Sequence, residues 1–94
     1  MSEVRLTGVL RCEDSEESSL VAKYLPAHVE LTRAEPGCIS FEVTRTDDPL
    51  IWAVAERFSD AAAFRLHQSR ASASEWGQQT TGIARAYTIS GLGE

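Results

Sequence analysis

The chain has 94 residues, of which 14 are acidic and 9 basic, and its formal net charge is -5. A chain of this length forms one domain with a small core, and we expect its free energy of unfolding to be low. Burial of surface against a second subunit would increase its stability. The acidic balance argues against nucleic acid and anionic membranes as partners. No apolar run resembles a signal peptide or a membrane span of about 20 residues, which predicts a cytoplasmic protein.

Apolar and polar residues alternate over residues 4–12, which predicts a first strand. A helix follows, with Asp14 as its predicted capping residue and apolar positions at spacings of three and four as far as Thr32. Pro26 lies inside this pattern and lacks a backbone N–H. We therefore expect a bend at this proline, with helix on both sides.

The stretch LTRAEPGCISFEV, residues 31–43, predicts the end of this helix and the start of a strand. Pro36 cannot continue a helix, and Gly37 is free to take the positive φ that helix ends often need. Alternation then predicts a second strand over 38–46. An Asp-Asp-Pro turn leads into a third strand over 50–58, so these two strands form a hairpin.

Two short helices and a last strand complete the predicted elements. Ser59 is the predicted N-cap of a helical segment, whose Ser-rich middle divides it into two helices, the second carrying Trp76. Gly82 precedes an alternating strand over 83–90. The order βαββαβ predicts an α+β ferredoxin-like fold, with four antiparallel strands and the helices on one face. We expect a single domain over residues 1–94.

One face of the predicted hairpin carries an acidic residue among apolar neighbours. A turn at Asp47 and Asp48 gives three cross-strand pairs on this face: Val43–Trp52, Phe41–Val54 and Ile39–Glu56. We expect this face to lie under the helices, where a carboxylate needs a partner or stays protonated. His67 is the first candidate partner of that carboxylate, with His28 and Arg33 as alternatives.

The opposite face of the sheet is mixed in character, and the chain has no third layer to cover it. It carries Arg5, Thr7, Val9, Glu42, Thr44, Ile51, Ala53, Ala55 and Arg57. We therefore expect a second copy of the chain to pack against it, sheet face to sheet face, as a homodimer.

Three stretches resemble the antibiotic biosynthesis monooxygenase family, whose members adopt the dimeric α+β barrel: LTRAEPGCISFEV (31–43), DDPLIWAVAERFSD (47–60) and AFRLHQS (63–69). The resemblance covers nearly the whole chain. It implies the oxidation of a phenol, a quinol or a polycyclic hydroxy-aromatic by O₂ without flavin, metal or haem. In that chemistry the substrate supplies the electrons.

A protein assists such chemistry by taking a proton, orienting the ring and excluding water. The candidate catalytic residues are His67, as the base, and Glu56, as the residue that holds it. The candidate substrate-binding residues are Phe41, Trp52, Trp76 and His28. Each has a structural alternative, because a buried pair can simply fix a helix to a sheet and aromatic side chains can simply fill a core.

No metal-ligand set, phosphate-binding loop or dinucleotide fingerprint is present in the sequence, which predicts a protein without a cofactor. Cys12 and Cys38 lack zinc or CxxC spacing, so both are interpreted as packed thiols. Two other functions remain open. One is a non-catalytic dimeric protein of the same fold that binds a small ligand or acts in a stress response. The other is haem degradation, which requires an iron-ligating histidine beside a helix rich in aromatic residues.

Overall fold

A computed structural model describes residues 2–92 of the protein, so residues 1, 93 and 94 of the predicted domain lie outside the described part. The strands are β1 (Val4–Arg11), β2 (Cys38–Arg45), β3 (Ile51–Phe58) and β4 (Ala84–Ser90). The helices are α1 (Ser15–Arg33), α2 (Ala61–Ala73) and α3 (Glu75–Thr80). All the predicted strands are present, and each predicted end lies within one residue of the observed end.

The strands form one antiparallel sheet in the order β2-β3-β1-β4. One face of this sheet is buried together with apolar side chains from all three helices: Val21 of α1, Phe64 of α2 and Trp76 of α3. Alternate positions on the other face are exposed or half-buried. The predicted ferredoxin-like α+β fold, with helices on one face, is confirmed.

The helix boundaries follow local capping chemistry. The Asp14 side chain accepts from the Glu17 backbone N–H at 3.0 Å, as predicted, and α1 continues on both sides of Pro26. The prediction of Ser59 as the N-cap of α2 is wrong, since Asp60 takes that role and accepts from the Ala63 N–H at 2.8 Å. The Ser59 N–H instead donates to the Gly37 carbonyl at 2.8 Å, so helix α2 begins one residue later.

The register of the β2–β3 hairpin differs from the prediction by two residues. The observed pairs are Phe41–Glu56, Val43–Val54 and Arg45–Trp52. The predicted pairs Val43–Trp52, Phe41–Val54 and Ile39–Glu56 are therefore wrong. An irregularity between Cys38 and Ser40 removes Ile39 from the ladder and leaves it 48% exposed, whereas the sequence placed it on the apolar face.

The loop between these strands explains the shift. The Thr46 hydroxyl donates to the Ile51 carbonyl at 2.8 Å and accepts from the Asp48 N–H at 3.1 Å. The Asp48 side chain accepts from the Leu50 N–H at 2.9 Å. These bonds hold a longer loop than the predicted turn, and its centre is displaced toward β3. Because the strands are antiparallel, moving the centre of the turn by one residue moves every pair by two.

No helix within residues 2–92 is long and apolar enough to cross a membrane.

Candidate active site

A cavity of about 250 Å³ lies between the buried face of the sheet and the helices. Five of the six predicted site residues line it: His28, Phe41, Glu56, His67 and Trp76. They come from α1, β2, β3, α2 and α3, so the cavity forms only when these five elements pack together. Each of these side chains is less than 10% exposed.

One wall of the cavity is built from flat rings. The His28 ring stacks on Trp76, with ring centroids 4.6 Å apart and planes inclined by 4°. Phe41 lies edge-on to His28 at 5.2 Å, and its centroid is 5.7 Å from that of His67. Planar side chains in these arrangements offer complementary surfaces to an aromatic molecule.

Trp52, the sixth predicted residue, is buried outside the cavity lining. Its indole N–H donates to the Ser18 hydroxyl at 3.2 Å, and the Arg45 guanidinium lies over its ring at 4.4 Å. The shifted register causes this placement, because it pairs Trp52 with Arg45 beside the hairpin loop. The position of Trp52 favours the structural alternative, in which this side chain fills the core.

His67 is held by Glu35, at the end of α1. Its Nδ1 lies 2.8 Å from Glu35 Oε1, while its Nε2 lies 3.8 Å from Glu56 Oε1. The second distance is too long for a hydrogen bond. The structure thus brings the predicted pair of Glu56 and His67 together, but it assigns the holding role to a different carboxylate. Arg33, the other alternative, donates to the Phe41 carbonyl at 2.9 Å instead.

Glu35 lies within the stretch LTRAEPGCISFEV, which the sequence analysis interpreted only as a helix-to-strand junction. The junction turns sharply, with Gly37 at a φ of 90°, where a Cβ would lie 2.5 Å from the Ala63 side chain. This close approach brings the junction against the start of α2 and lets Glu35 reach His67. The spacing of His67 and Arg70 on α2 was a usable signal, since residues three apart share a helix face and can bind one carboxylate.

The charges around the cavity follow from burial. Burial, with the charge of Glu35 as the second cause, raises the pKa of Glu56 to about 7. Burial also lowers the pKa of His28 to about 3. It lowers the pKa of His67 too, partly offset by the hydrogen bond and charge of Glu35. Both histidines are therefore neutral at pH 7, and Glu56 is divided between its two forms.

Glu35 is the ionised carboxylate of the site. Burial alone would raise its pKa, but hydrogen bonds from Arg70 and His67 lower that pKa overall. An ionised carboxylate only accepts hydrogen bonds, so it favours the neutral tautomer of His67 that carries its proton on Nδ1. Its Nε2 then carries the lone pair and faces Glu56 at the cavity. A neutral imidazole in this form is able to act as a general base.

Two further residues of the cavity wall, Arg85 and Tyr87 on β4, were not predicted. The Arg85 guanidinium donates to the Thr80 and Ile83 carbonyls, both at 2.9 Å, which ties β4 to the end of α3. Tyr87 pairs with Gly8 across β1 and β4, where a Cβ would lie 2.8 Å from the tyrosine ring. A glycine on the buried face of the first strand was the signal, since it leaves room for an aromatic neighbour.

Neither cysteine belongs to this chemistry. Burial raises the pKa of both the Cys12 and Cys38 thiols, which keeps them protonated and unreactive. Among residues 2–92, no three His, Cys, Asp or Glu side chains are grouped closely enough to hold a metal ion.

Solved structures share the fold over most of the chain. Rv0793 from Mycobacterium tuberculosis is 21% identical, with 95% of this chain and 93% of that chain covered and a TM-score of 0.75. A candidate antibiotic biosynthesis monooxygenase from Nitrosomonas europaea is 18% identical, with 94% and 88% covered and a TM-score of 0.77. Another from Deinococcus radiodurans is 20% identical, with 97% and 93% covered and a TM-score of 0.72. These identities show the fold alone.

A search among curated proteins finds no match. The family model for antibiotic biosynthesis monooxygenases, in contrast, matches residues 10–79, which include all six predicted site residues. The three stretches that suggested this family from the sequence all lie within the matched range. The chain therefore belongs to the antibiotic biosynthesis monooxygenase family.

Proposed function

We propose that this protein is a cofactor-independent monooxygenase that oxidises a small hydroxy-aromatic substrate with O₂. The observation that carries the proposal is the neutral His67, bonded to Glu35 through Nδ1 and presenting Nε2 to a cavity walled by aromatic rings. Family membership supports the reaction class. The overall reaction converts a phenol and O₂ into a quinone and water, so one oxygen atom enters the ring.

In this scheme His67 Nε2 takes the proton of the substrate hydroxyl, and the resulting phenolate passes one electron to O₂. The phenoxyl radical and superoxide combine to form a C–O bond on the ring. The peroxide takes the proton back from His67. Loss of the ring C–H proton and of hydroxide, as water, leaves the second carbonyl. The protein contributes by moving the proton and keeping bulk water away from the radical pair.

The dimensions of the cavity support a small substrate. Its volume of about 250 Å³ is slightly below the usual range of ligand pockets, which is roughly 300–1,000 Å³. One- and two-ring hydroxy-aromatics are therefore favoured over larger polycyclic molecules. The stacked His28 and Trp76 rings would contact the flat face of such a substrate.

The test is oxygen uptake by purified protein, with chelator and no added cofactor, on hydroxy-aromatics of one, two and three rings. We expect quinone formation and entry of one ¹⁸O atom from ¹⁸O₂, with His67→Ala slower by about 10²-fold or more, as loss of a general base requires. Binding without turnover would favour the ligand-binding alternative. A Soret band on haem titration, lost in His67→Ala, would favour haem degradation.

We also propose that the protein acts as a homodimer through the exposed face of the sheet. Val9 lies at the centre of that face, between Ala53 of β3 and Ala86 of β4, and these small side chains leave a surface that a second sheet can approach closely. Val9→Arg is expected to give a monomer in light scattering after gel filtration. Leu66→Arg is the matched control, since it adds the same charge at a 72% exposed position on α2. A wild-type monomer at micromolar concentration would contradict this proposal.

A further inference from the structure

Arg70, Glu35 and His67 form a connected chain of polar side chains beside the cavity. We propose that Glu35, held by Arg70, is a positioning residue that keeps His67 in the tautomer with its proton on Nδ1 and its base at Nε2. The effect of Glu35 on the reaction rate rests on the proposed function. Its effect on the tautomer of His67 does not, so the two effects can be tested separately.

Both oxygens of Glu35 are committed to neighbours on α2. Oε1 lies 2.8 Å from His67 Nδ1, and Oε2 accepts from Arg70 Nε at 2.8 Å. The Arg70 Nη2 in turn donates to the Thr32 hydroxyl at 2.9 Å, and Thr32 is fully buried on α1. A carboxylate bonded on both oxygens cannot turn away from the ring. The guanidinium that holds it is anchored in the core, which makes the orientation of His67 a property of the fold.

The titratable or charged groups near His67 are His28 on α1, Glu35 after α1, Glu56 on β3 and Arg70 on α2, while Arg85 and Tyr87 on β4 line the same cavity. Among these, Glu35 makes the short hydrogen bond to the ring. Glu56 Oε1, 3.8 Å from Nε2, has no hydrogen-bond partner. A proton on Nε2 would face this oxygen at a distance too long for a hydrogen bond, so the short contact with Glu35 at Nδ1 is the one that selects the tautomer.

Glu35→Gln alters this balance with little change in shape. A glutamine amide is able to turn its NH₂ toward Nδ1, which would then accept the hydrogen bond and force the proton onto Nε2. The proton on Nε2 would then face Glu56, and His67 would no longer have a lone pair at the cavity. The substitution is therefore expected to reverse the tautomer while the imidazole stays in place.

The first measurement is a long-range ¹H–¹⁵N correlation spectrum of ¹⁵N-labelled protein at neutral pH. The chain has two histidines, so the spectrum of His28→Gln assigns both. We expect His67 to be protonated at Nδ1 in the wild type and at Nε2 in Glu35→Gln. Glu30→Gln is the matched control, because Glu30 is exposed on α1, on the side of the sheet away from the proposed dimer face. It should leave the tautomer unchanged.

The second measurement is the rate of substrate oxidation. Glu35→Gln should lower kcat by roughly 10²-fold, with little change in KM, and Glu30→Gln should match the wild type. Glu35→Asp, which keeps the charge but retracts it, should give a mixture of tautomers and an intermediate kcat. It also serves as the test if Glu35→Gln fails to fold.

The outcomes separate the two proposals. A wild-type His67 protonated at Nε2, or a tautomer unchanged in both Glu35 variants, would overturn the positioning role. A reversed tautomer with wild-type kcat would overturn its part in catalysis. If no hydroxy-aromatic is oxidised by the wild type, the proposed function fails, while the spectra still decide how His67 is held.

Discussion

The two histidines of the cavity differ in what surrounds them, although both are almost completely buried. His28 stacks on Trp76 and its Nδ1 has no hydrogen-bond partner. His67 is bonded to an ionised carboxylate, which is itself bonded to an arginine. The comparison shows that burial alone makes a histidine neutral, whereas an anionic partner also decides which nitrogen is basic.

The largest expected difference between substitutions of the two histidines is in the rate of oxidation. His28→Phe keeps a flat ring against Trp76 and removes a buried polar atom, so oxidation should stay within about tenfold of the wild type. His67→Phe keeps a ring but removes the base and should lower the rate by about 10²-fold or more. Oxygen uptake under identical conditions measures both. Equal losses in the two variants would show that the histidines do not have separate roles.

A smaller expected effect is the pH dependence of stability that comes from Glu56, which lies beside His67. Its pKa is raised from 4.5 to about 7, so the folded state keeps a proton that the unfolded state releases. The stability associated with this group is fully present below pH 4.5 and is lost as the pH rises through 7. Between about pH 5 and pH 8 the expected loss is about 2–3 kcal/mol.

Glu56→Gln should remove this loss, so its free energy of unfolding should fall less with rising pH than that of the wild type. Urea unfolding at a series of pH values measures the difference, and Glu30→Gln, at an exposed position of α1, controls for the loss of one carboxylate. Parallel curves for wild type and Glu56→Gln would contradict a raised pKa for Glu56.

The smallest expected effect is the pH dependence of stability that comes from His28, where stability is lost as the pH falls rather than as it rises. Its pKa is lowered from 6.5 to about 3, so the unfolded state binds a proton that the folded state does not. Stability from this group is lost as the pH falls below 6.5, by about 2 kcal/mol between about pH 7 and pH 5. His28→Phe should reduce the acid-side loss in the same unfolding series. A steeper acid-side loss in this variant would show that His28 is charged in the folded protein.

Much of the candidate site could be predicted from local patterns. A glutamate at an inward position of an apolar strand indicated a buried carboxylate, and the structure places Glu56 in the cavity. The helix that follows indicated that His67 would lie over the same face. Trp52 was misplaced because the length of the hairpin loop depends on the Thr46 and Asp48 side chains, which hydropathy patterns do not report.

The sequence by itself determined the fold, the family and five of the residues that line the cavity. Alternation, capping residues and the Pro-Gly stop are local properties, and a chain of this order has few ways to bury its apolar face. Only the tertiary structure decided that Glu35 holds His67. That contact joins residues 32 positions apart on two elements, and it depends on how closely the Gly37 turn approaches α2. Such an approach is set by packing, which no pattern along the chain encodes.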